Sequence, residues 1–341
     1  MLNISLEKFK SQFLRKKNQI LYFSQNTDGK NEIENLINNF LIEKDSFVFE
    51  SVEKGFVKGR YTIFGKNPDK IWEFNDKKSK LIFNNKTKIL KGSPKKNIEK
   101  IIENFKFEIP KELPPISSLL SGYFSYDIIR YIEKIPNKTK NDLKIPDTRI
   151  LRPKNLIVHD NIEKKIFFIV NCFSDEKIQN FSNKYNLIKK QVEEMVFLAS
   201  YNKKKDTSIK NNNYTKVISN ITKKKFIKNV IKAKNYIKIG DIFQVVLSQR
   251  FETKLTKKPL EIYKKLRKTN PSPFMYFFNF SDFQIIGASP EILVRLRNNK
   301  ITIRPIAGTR PRGINKKQDV FFEKDLLKDK KELSEHLMLL D

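Results

Sequence analysis

Three short stretches place chemically useful side chains at informative spacings: Gly287-Ala288-Ser289-Pro290-Glu291, Ala307-Gly308-Thr309-Arg310, and Glu332-Leu333-Ser334-Glu335-His336. The first sets Glu291 just past a tight Gly-Ser-Pro corner at the start of a strand. A carboxyl held there away from bulk water, with its pKa raised, serves as a general acid. The same corner is also ordinary turn chemistry with an exposed Glu. The second stretch offers Gly308 for close backbone approach, Thr309 as a hydroxyl donor, and Arg310 and Arg312 for an anionic substrate, or else a surface turn ended by Pro311. In the third, Glu332 and Glu335 stand at i and i+3 on one helix face, a pairing that suits a hard cation such as Mg2+ and equally describes a solvated acidic face.

These stretches have to be positioned by a fold of mixed type. Ser46 to Glu50 and Arg60 to Phe64 read as short strands, and Lys80–Phe83 with Lys88–Leu90 as a hairpin around Asn84 and Asn85. Ile178, Phe181, Tyr185, Ile188, Val192 and Met195 recur three or four apart, which predicts an amphipathic helix. The run 202–216 is rich in Lys, Asn, Asp, Ser and Thr and is taken as the linker between a domain at 1–201 and a second at 217–341. Beyond it, Thr222 caps a helix with Phe226, Val230, Ala233 and Ile237 on one face and Gly240 at its end. Strands are predicted at Ile242–Phe251, Phe274–Phe280, Phe283–Ile286, Ile292–Leu296 and Ile301–Ile306, and helical spacing returns with Leu326, Leu327, Leu333 and Leu337. The fold class is α+β.

Composition narrows the function classes. With 341 residues and 39% hydrophobic content the chain can bury a core across roughly two domains. A net charge of +31 invites a nucleic-acid reading, but the lysines are spread along the whole length and no zinc-finger, RNA-recognition or basic-heptad pattern accompanies them. No nucleic-acid partner is expected. One cysteine, Cys172, leaves no disulfide framework or Cys metal cluster and fits a reducing cytoplasm. No signal peptide or membrane-length apolar run is present, so no membrane partner is expected either.

Together the motifs resemble the chorismate-utilising enzymes, and within them the family of anthranilate synthase large subunits (component I). The resemblance runs through Phe49-Glu50-Ser51-Val52-Glu53, Gly59-Arg60-Tyr61, Gly122-Tyr123-Phe124-Ser125-Tyr126-Asp127, and the stretch from Gly240 to Arg250. It continues through Gly287 to Arg295, Pro305 to Gly313 and Lys331 to Asp341. It implies the family's fold, a central β-sandwich with helices outside. The implied reaction is amination of chorismate: ammonia adds at ring carbon 2, the hydroxyl at carbon 4 leaves, and pyruvate is eliminated to give anthranilate.

The resemblance assigns roles residue by residue. Glu291 would be the general acid for hydroxyl departure, and Thr309 with the Ala307 and Gly308 backbone would hold the substrate. Glu335, with Glu332 beside it, would bind Mg2+, which neutralises the ring carboxylate. Gln244 stands where sister enzymes that use water carry an activating Lys, and Ala307 stands where aminodeoxychorismate synthases often carry a Lys nucleophile. Both favour anthranilate over the alternative, aminodeoxychorismate synthase component I.

Control and supply are implied in the same way. Glu50 and Ser51, with Pro273, Phe274, Met275 and Tyr276, look like the family's site for L-tryptophan as feedback inhibitor, split between the two domains. A turn shaped by Pro273 and Phe274 is the plainer alternative. Ammonia would come from glutamine through a separate amidotransferase subunit (component II), since Cys172 lacks a glutaminase motif and reads as core. In the family, more protein follows the position of Asp341 and carries a second Mg2+-binding carboxylate, a catalytic His and groups that grip the substrate side chain. This chain alone is therefore expected neither to aminate chorismate nor to bind Mg2+ tightly, because one or two carboxylates leave most of roughly six oxygen positions to water. The remaining alternative is a non-catalytic remnant that binds only tryptophan or the amidotransferase.

Overall fold

The computed structural model describes all residues except Met1, Asp28, 53–58, Lys77, Lys140, 203–214 and Asp341. Most of the 202–216 linker, and Glu53, therefore fall outside the described residues. The chain divides into two compact units, Met1–Lys203 with Tyr263–Asp341, and Lys204–Ile262. This grouping differs from a second domain running unbroken over 217–341, because strands after Tyr263 join the first sheet.

In chain order the elements before the second unit are α1 (Leu6–Leu14), β1 (Gln19–Asn26), α2 (Lys30–Asn39), β2 (Ser46–Glu50), β3 (Tyr61–Asn75), β4 (Lys78–Phe83), β5 (Lys86–Leu90), α3 (Pro94–Asn104), β6 (Ser121–Phe124), β7 (Thr148–Asp160), β8 (Lys165–Cys172) and α4 (Phe181–Ser200). The second unit holds β9 (Ile218–Ser219), α5 (Lys223–Lys238) and β10 (Phe251–Glu252). Then follow α6 (Pro259–Thr269), β11 (Phe274–Asn279), β12 (Gln284–Ser289), β13 (Arg295–Arg297), β14 (Lys300–Thr302), α7 (Lys316–Lys328) and α8 (Lys330–Leu340).

A ten-stranded sheet organises the larger unit in the order β1-β8-β7-β3-β2-β11-β12, with β4, β5 and β6 attached through β3 and β7. Its pairings are antiparallel, both where a short turn joins neighbours, as in β4–β5 and β7–β8, and where long connections do, as in β1–β8, β3–β7 and β2–β11. The β4–β5 turn carries Asn84 and Asn85 at φ 47° and 57°, the left-handed pair a two-residue hairpin needs. Central strand β7 is buried along nearly its whole length. Period-two alternation sends Leu156 and Val158 into a cluster with Phe47, Phe278, Phe280 and Leu113, and Ile157 to the opposite face. Helices α2 and α4 are tied together by Asn35 Nδ2 donating to Ala199 O (2.8 Å) and Asn39 Nδ2 donating to Tyr201 O (2.7 Å). The larger unit is thus α+β with a large antiparallel sheet.

In the smaller unit, Thr222 Oγ1 accepts from Lys225 N (3.3 Å), capping α5, and Gly240 follows its end at φ 82°. The strand predicted over Ile242–Phe251 is reduced to Phe251–Glu252, which pair with Ser219 and Ile218. A strand is held by ladder bonds to a neighbour; Arg250 O accepts from Asn220 N (3.0 Å), but 242–249 pairs with no strand among the described residues, leaving Phe243 and Val246 exposed. No helix among the described residues is long and apolar enough to cross a membrane.

Candidate functional site

The arc from β12 to α8 brings two of the three motifs into contact and ties the third to them. Where β12 ends, the Ser289 hydroxyl donates to Glu291 O (2.9 Å) and accepts from Glu291 N (3.3 Å), a local turn that aims the Glu291 side chain. Its Oε1 accepts from Ile306 N at 3.2 Å, linking the carboxylate to the start of the Ala307-Gly308-Thr309 backbone. Glu291 is exposed, so the burial expected around a general acid is not supplied by the described residues.

Gly308 explains itself by what touches it. A Cβ there would lie 2.1 Å from Oε2 of Glu332, so the Glu332 carboxylate rests against the bare Cα. Glu332 and Glu335 are half-buried on α8, one turn apart. Thr309 is exposed, and its carbonyl accepts from Arg310 Nη1 at 3.1 Å. Arg310 donates Nε to Asp325 (2.6 Å) and Nη2 to Asp329 (2.7 Å), bonds that hold its guanidinium pKa above the usual range. The Arg310 hydrogen bond, then the N–H of Glu332, keep the Asp329 carboxyl below its usual range. Arg312, 92% exposed, pairs with Asp319. The two carboxylates of α8 fit a hard cation in kind and are short in number: no group of three or more His, Cys, Asp or Glu placed to hold a metal occurs among the described residues. Gln244 lies in the Lys204–Ile262 unit and is exposed.

The second constellation sits on the β2–β11 seam. Glu50 is opposite Met275, Phe49 is opposite Tyr276, and Val52 N donates to Ser272 O at 3.0 Å. The halves expected on separate domains are therefore hydrogen-bonded neighbours in one sheet of one unit. Ser51 Oγ accepts from Gly59 N at 3.2 Å, and a Cβ on Gly59 would fall 2.1 Å from the Ser51 Cβ. The Glu50 side chain is 2% exposed and accepts from the Tyr263 hydroxyl and from Arg267 Nε at 2.7 and 2.9 Å. Arg267 Nη1 reaches Glu34 at 2.5 Å. Burial opposes charge on Arg267, but Glu50 and Glu34 outweigh it and raise the guanidinium pKa. Burial, then Glu50, push the Tyr263 hydroxyl far above its usual range. Tyr276 covers Gly287, where a Cβ would fall 2.1 Å from the ring; Pro273 is half-buried, Phe274 43% exposed and Met275 buried.

Sequence reading missed Tyr263, Arg267, Asp325 and Asp329. A signal existed for the first two, which stand i and i+4 on α6 shortly before Pro273–Tyr276. Cys172 is buried, and burial pushes its thiol up to about 12, the state of a core residue and not of a nucleophile.

Comparison with known proteins places this geometry. A family described as chorismate binding enzyme matches residues 58–341. The chain is 37% identical to anthranilate synthase component 1 of Cereibacter sphaeroides, over 99% of this chain and 68% of that protein. It is 40% identical to the Acetivibrio thermocellus protein of the same name, over 86% of this chain and 60% of that one. A crystal structure of anthranilate synthase component I from Streptococcus pneumoniae superposes with a TM-score of 0.70 at 29% identity, covering 85% of this chain and 62% of that one. The chain thus spans 60–68% of the length of these relatives.

Proposed function

Since the chain belongs to the family of chorismate-binding enzymes, we propose that it carries the chorismate-facing part of an anthranilate synthase large subunit, acting in the first step of tryptophan biosynthesis. The supporting observation is the arc itself. Glu291 is bonded to Ile306 N, and Gly308 is in contact with Glu332, so an acid, a substrate-holding backbone and a cation-binding helix converge. Glu291 donates the proton that lets the chorismate hydroxyl depart. The Ala307, Gly308 and Thr309 groups orient the ring. Glu335, with Glu332 beside it, would hold Mg2+, which would supply positive charge to neutralise the ring carboxylate. Gln244 leaves ammonia unchallenged by an activated water. The ammonia derives from glutamine on a partner amidotransferase subunit, and the setting is a reducing cytoplasm that suits a lone buried thiol.

The test joins this chain to the part of the Acetivibrio relative that follows its matched region and supplies chorismate, ammonium and Mg2+. Anthranilate fluorescence that Glu291→Gln abolishes is expected. Aminodeoxychorismate as product would favour the sister reaction, and binding without turnover would favour a non-catalytic remnant. The 341-residue chain alone should produce no anthranilate, and steady formation by it would overturn that part of the reading.

Feedback by L-tryptophan at the β2–β11 seam is part of the same proposal, supported by the pairing of Glu50 and Ser51 with the 272–276 segment. Calorimetric titration of L-tryptophan should saturate with this chain and fail with Ser51→Ala. Absence of binding to the folded wild type would remove the regulatory reading.

A further inference from the structure

Apolar packing does not fix the 305–310 segment against α8, because neither α7 nor α8 contains a buried residue. Polar bonds hold it, and they converge on one side chain. Asp329, between α7 and α8, gives each carboxylate oxygen a different task. Oδ1 accepts from the backbone N–H of Lys331 (3.0 Å) and of Glu332 (3.3 Å), so it caps α8 and satisfies donors that the helix start would otherwise leave open. Oδ2 accepts from Arg310 Nη2 at 2.7 Å. Arg310 directs two further donors to Asp325 on the last turn of α7 (2.6 Å) and to the carbonyl of Thr309 (3.1 Å). A planar guanidinium can meet two carboxylates and a carbonyl at fixed angles; a lysine ammonium cannot.

We propose that Asp329 is a positioning residue which, through Arg310, staples the Ala307-Gly308-Thr309 backbone to the first turn of α8 and so holds Gly308 against Glu332. That the stapled groups are a substrate loop and a cation helix rests on the function proposed above; the staple itself does not. A surface ion pair and a helix cap are each modest features when separate. Here one carboxylate performs both, so the orientation of α8 and the path of the loop are not independent. The consequence is coupling: loosening Arg310 releases the loop without unwinding α8, and only loss of both oxygens releases both.

Amide hydrogen exchange of the 341-residue chain, read by mass spectrometry, tests this without substrate. Asp329→Ser keeps a capping oxygen and removes the ion pair. In the peptide over 305–310 it should speed exchange of the Ile306 amide, which donates to Glu291, by roughly threefold or more while leaving the first turn of α8 near wild type. Arg310→Gln, which also removes the bond to Asp325, should speed it at least as much, and the double variant should be no faster than Arg310→Gln, as a shared interaction requires. Asp329→Ala should speed both segments. On the wild type, ~0.5 M NaCl should speed the loop, and the effect should be smaller in Asp329→Ser, where only the Asp325 pair is left to screen. Wild-type exchange over 305–310 in Asp329→Ser, additive single effects, or a salt response unchanged by Asp329→Ser would each overturn the staple. A failed anthranilate assay would leave these outcomes untouched, and they in turn would leave the assay standing.

Discussion

The β2–β11 seam and the β12-to-α8 arc both fix carboxylates in place, and they do it by opposite physics. At the seam, Glu50 is almost fully withdrawn from water and is saturated by Tyr263 and Arg267, so its position is enforced by the cost of leaving a buried charge unpaired. On the arc, Glu291 is exposed and is placed by one backbone N–H, while Glu332 is half-buried and rests against the bare face of Gly308. The seam is a rigid part of a core; the arc is held by polar links whose strength depends on solvent and salt. Under the proposed function, the regulatory ligand would meet buried, fully paired groups and the substrate would meet exposed, polar-linked ones.

The contrast can be broken hardest at the seam. Arg267→Met should lower unfolding stability by about 3 kcal/mol in urea titration, because it strands Glu50 with only Tyr263 as donor. A loss near zero would mean that Glu50 is not desolvated as described. Next in size is Gly122→Ala in β6, where a Cβ would lie 2.0 Å from the Arg149 carbonyl oxygen of β7. Backbone cannot step aside as a side chain can, so about 1–3 kcal/mol should be lost.

His159 sharpens the same comparison through pH. It is buried on β7 against Gly29, and neither ring nitrogen has a hydrogen-bond partner among the described residues. Burial, with Lys164 nearby, lowers its pKa from 6.5, while Glu32 and Asp160 work in the opposite direction. The folded state then binds fewer protons than the unfolded one, so the contribution of His159 is fully present above about 6.5 and falls as pH drops toward the lowered value. Wild type should lose more of its urea midpoint between pH 7.5 and 5.5 than His159→Leu does; equal losses would refute the buried neutral state. The smallest effect belongs to the arc. Gly308→Ala should shift stability by no more than about 0.5 kcal/mol in urea titration, because the atom it meets is the free end of Glu332, and under the proposed function it should weaken chorismate binding in the fusion with the Acetivibrio segment.

Much of the seam is legible in the sequence. Ser46–Glu50 and Phe274–Asn279 are compact apolar runs with β-type residues, and the structure pairs them. The Asn84-Asn85 turn and the Thr222 cap are legible because their chemistry is local. What is not legible is who pairs with whom. Nothing local in 46–50 says that its neighbour lies beyond residue 270, so a composition break reads as a boundary between the two halves. The 242–250 run misleads for the related reason that apolar character describes a strand only once a partner supplies the ladder. On the arc, resemblance finds the motif residues, while Asp325 and Asp329 escape because acidic residues at helix ends are common and their bonds to Arg310 depend on folding.

The pairing of β2 with β11 also has a timetable. Tyr263 and Glu50 are separated by 213 residues, and a ribosome adding about 5–20 residues per second needs ~10–40 s to make that interval. Throughout it, the outer edge of β2, with Phe47, Val48 and Phe49, waits without the strand that will cover it. The nascent chain must be shielded for that long, and a pause in translation between the two strands would be felt as aggregation before it was felt as lost activity.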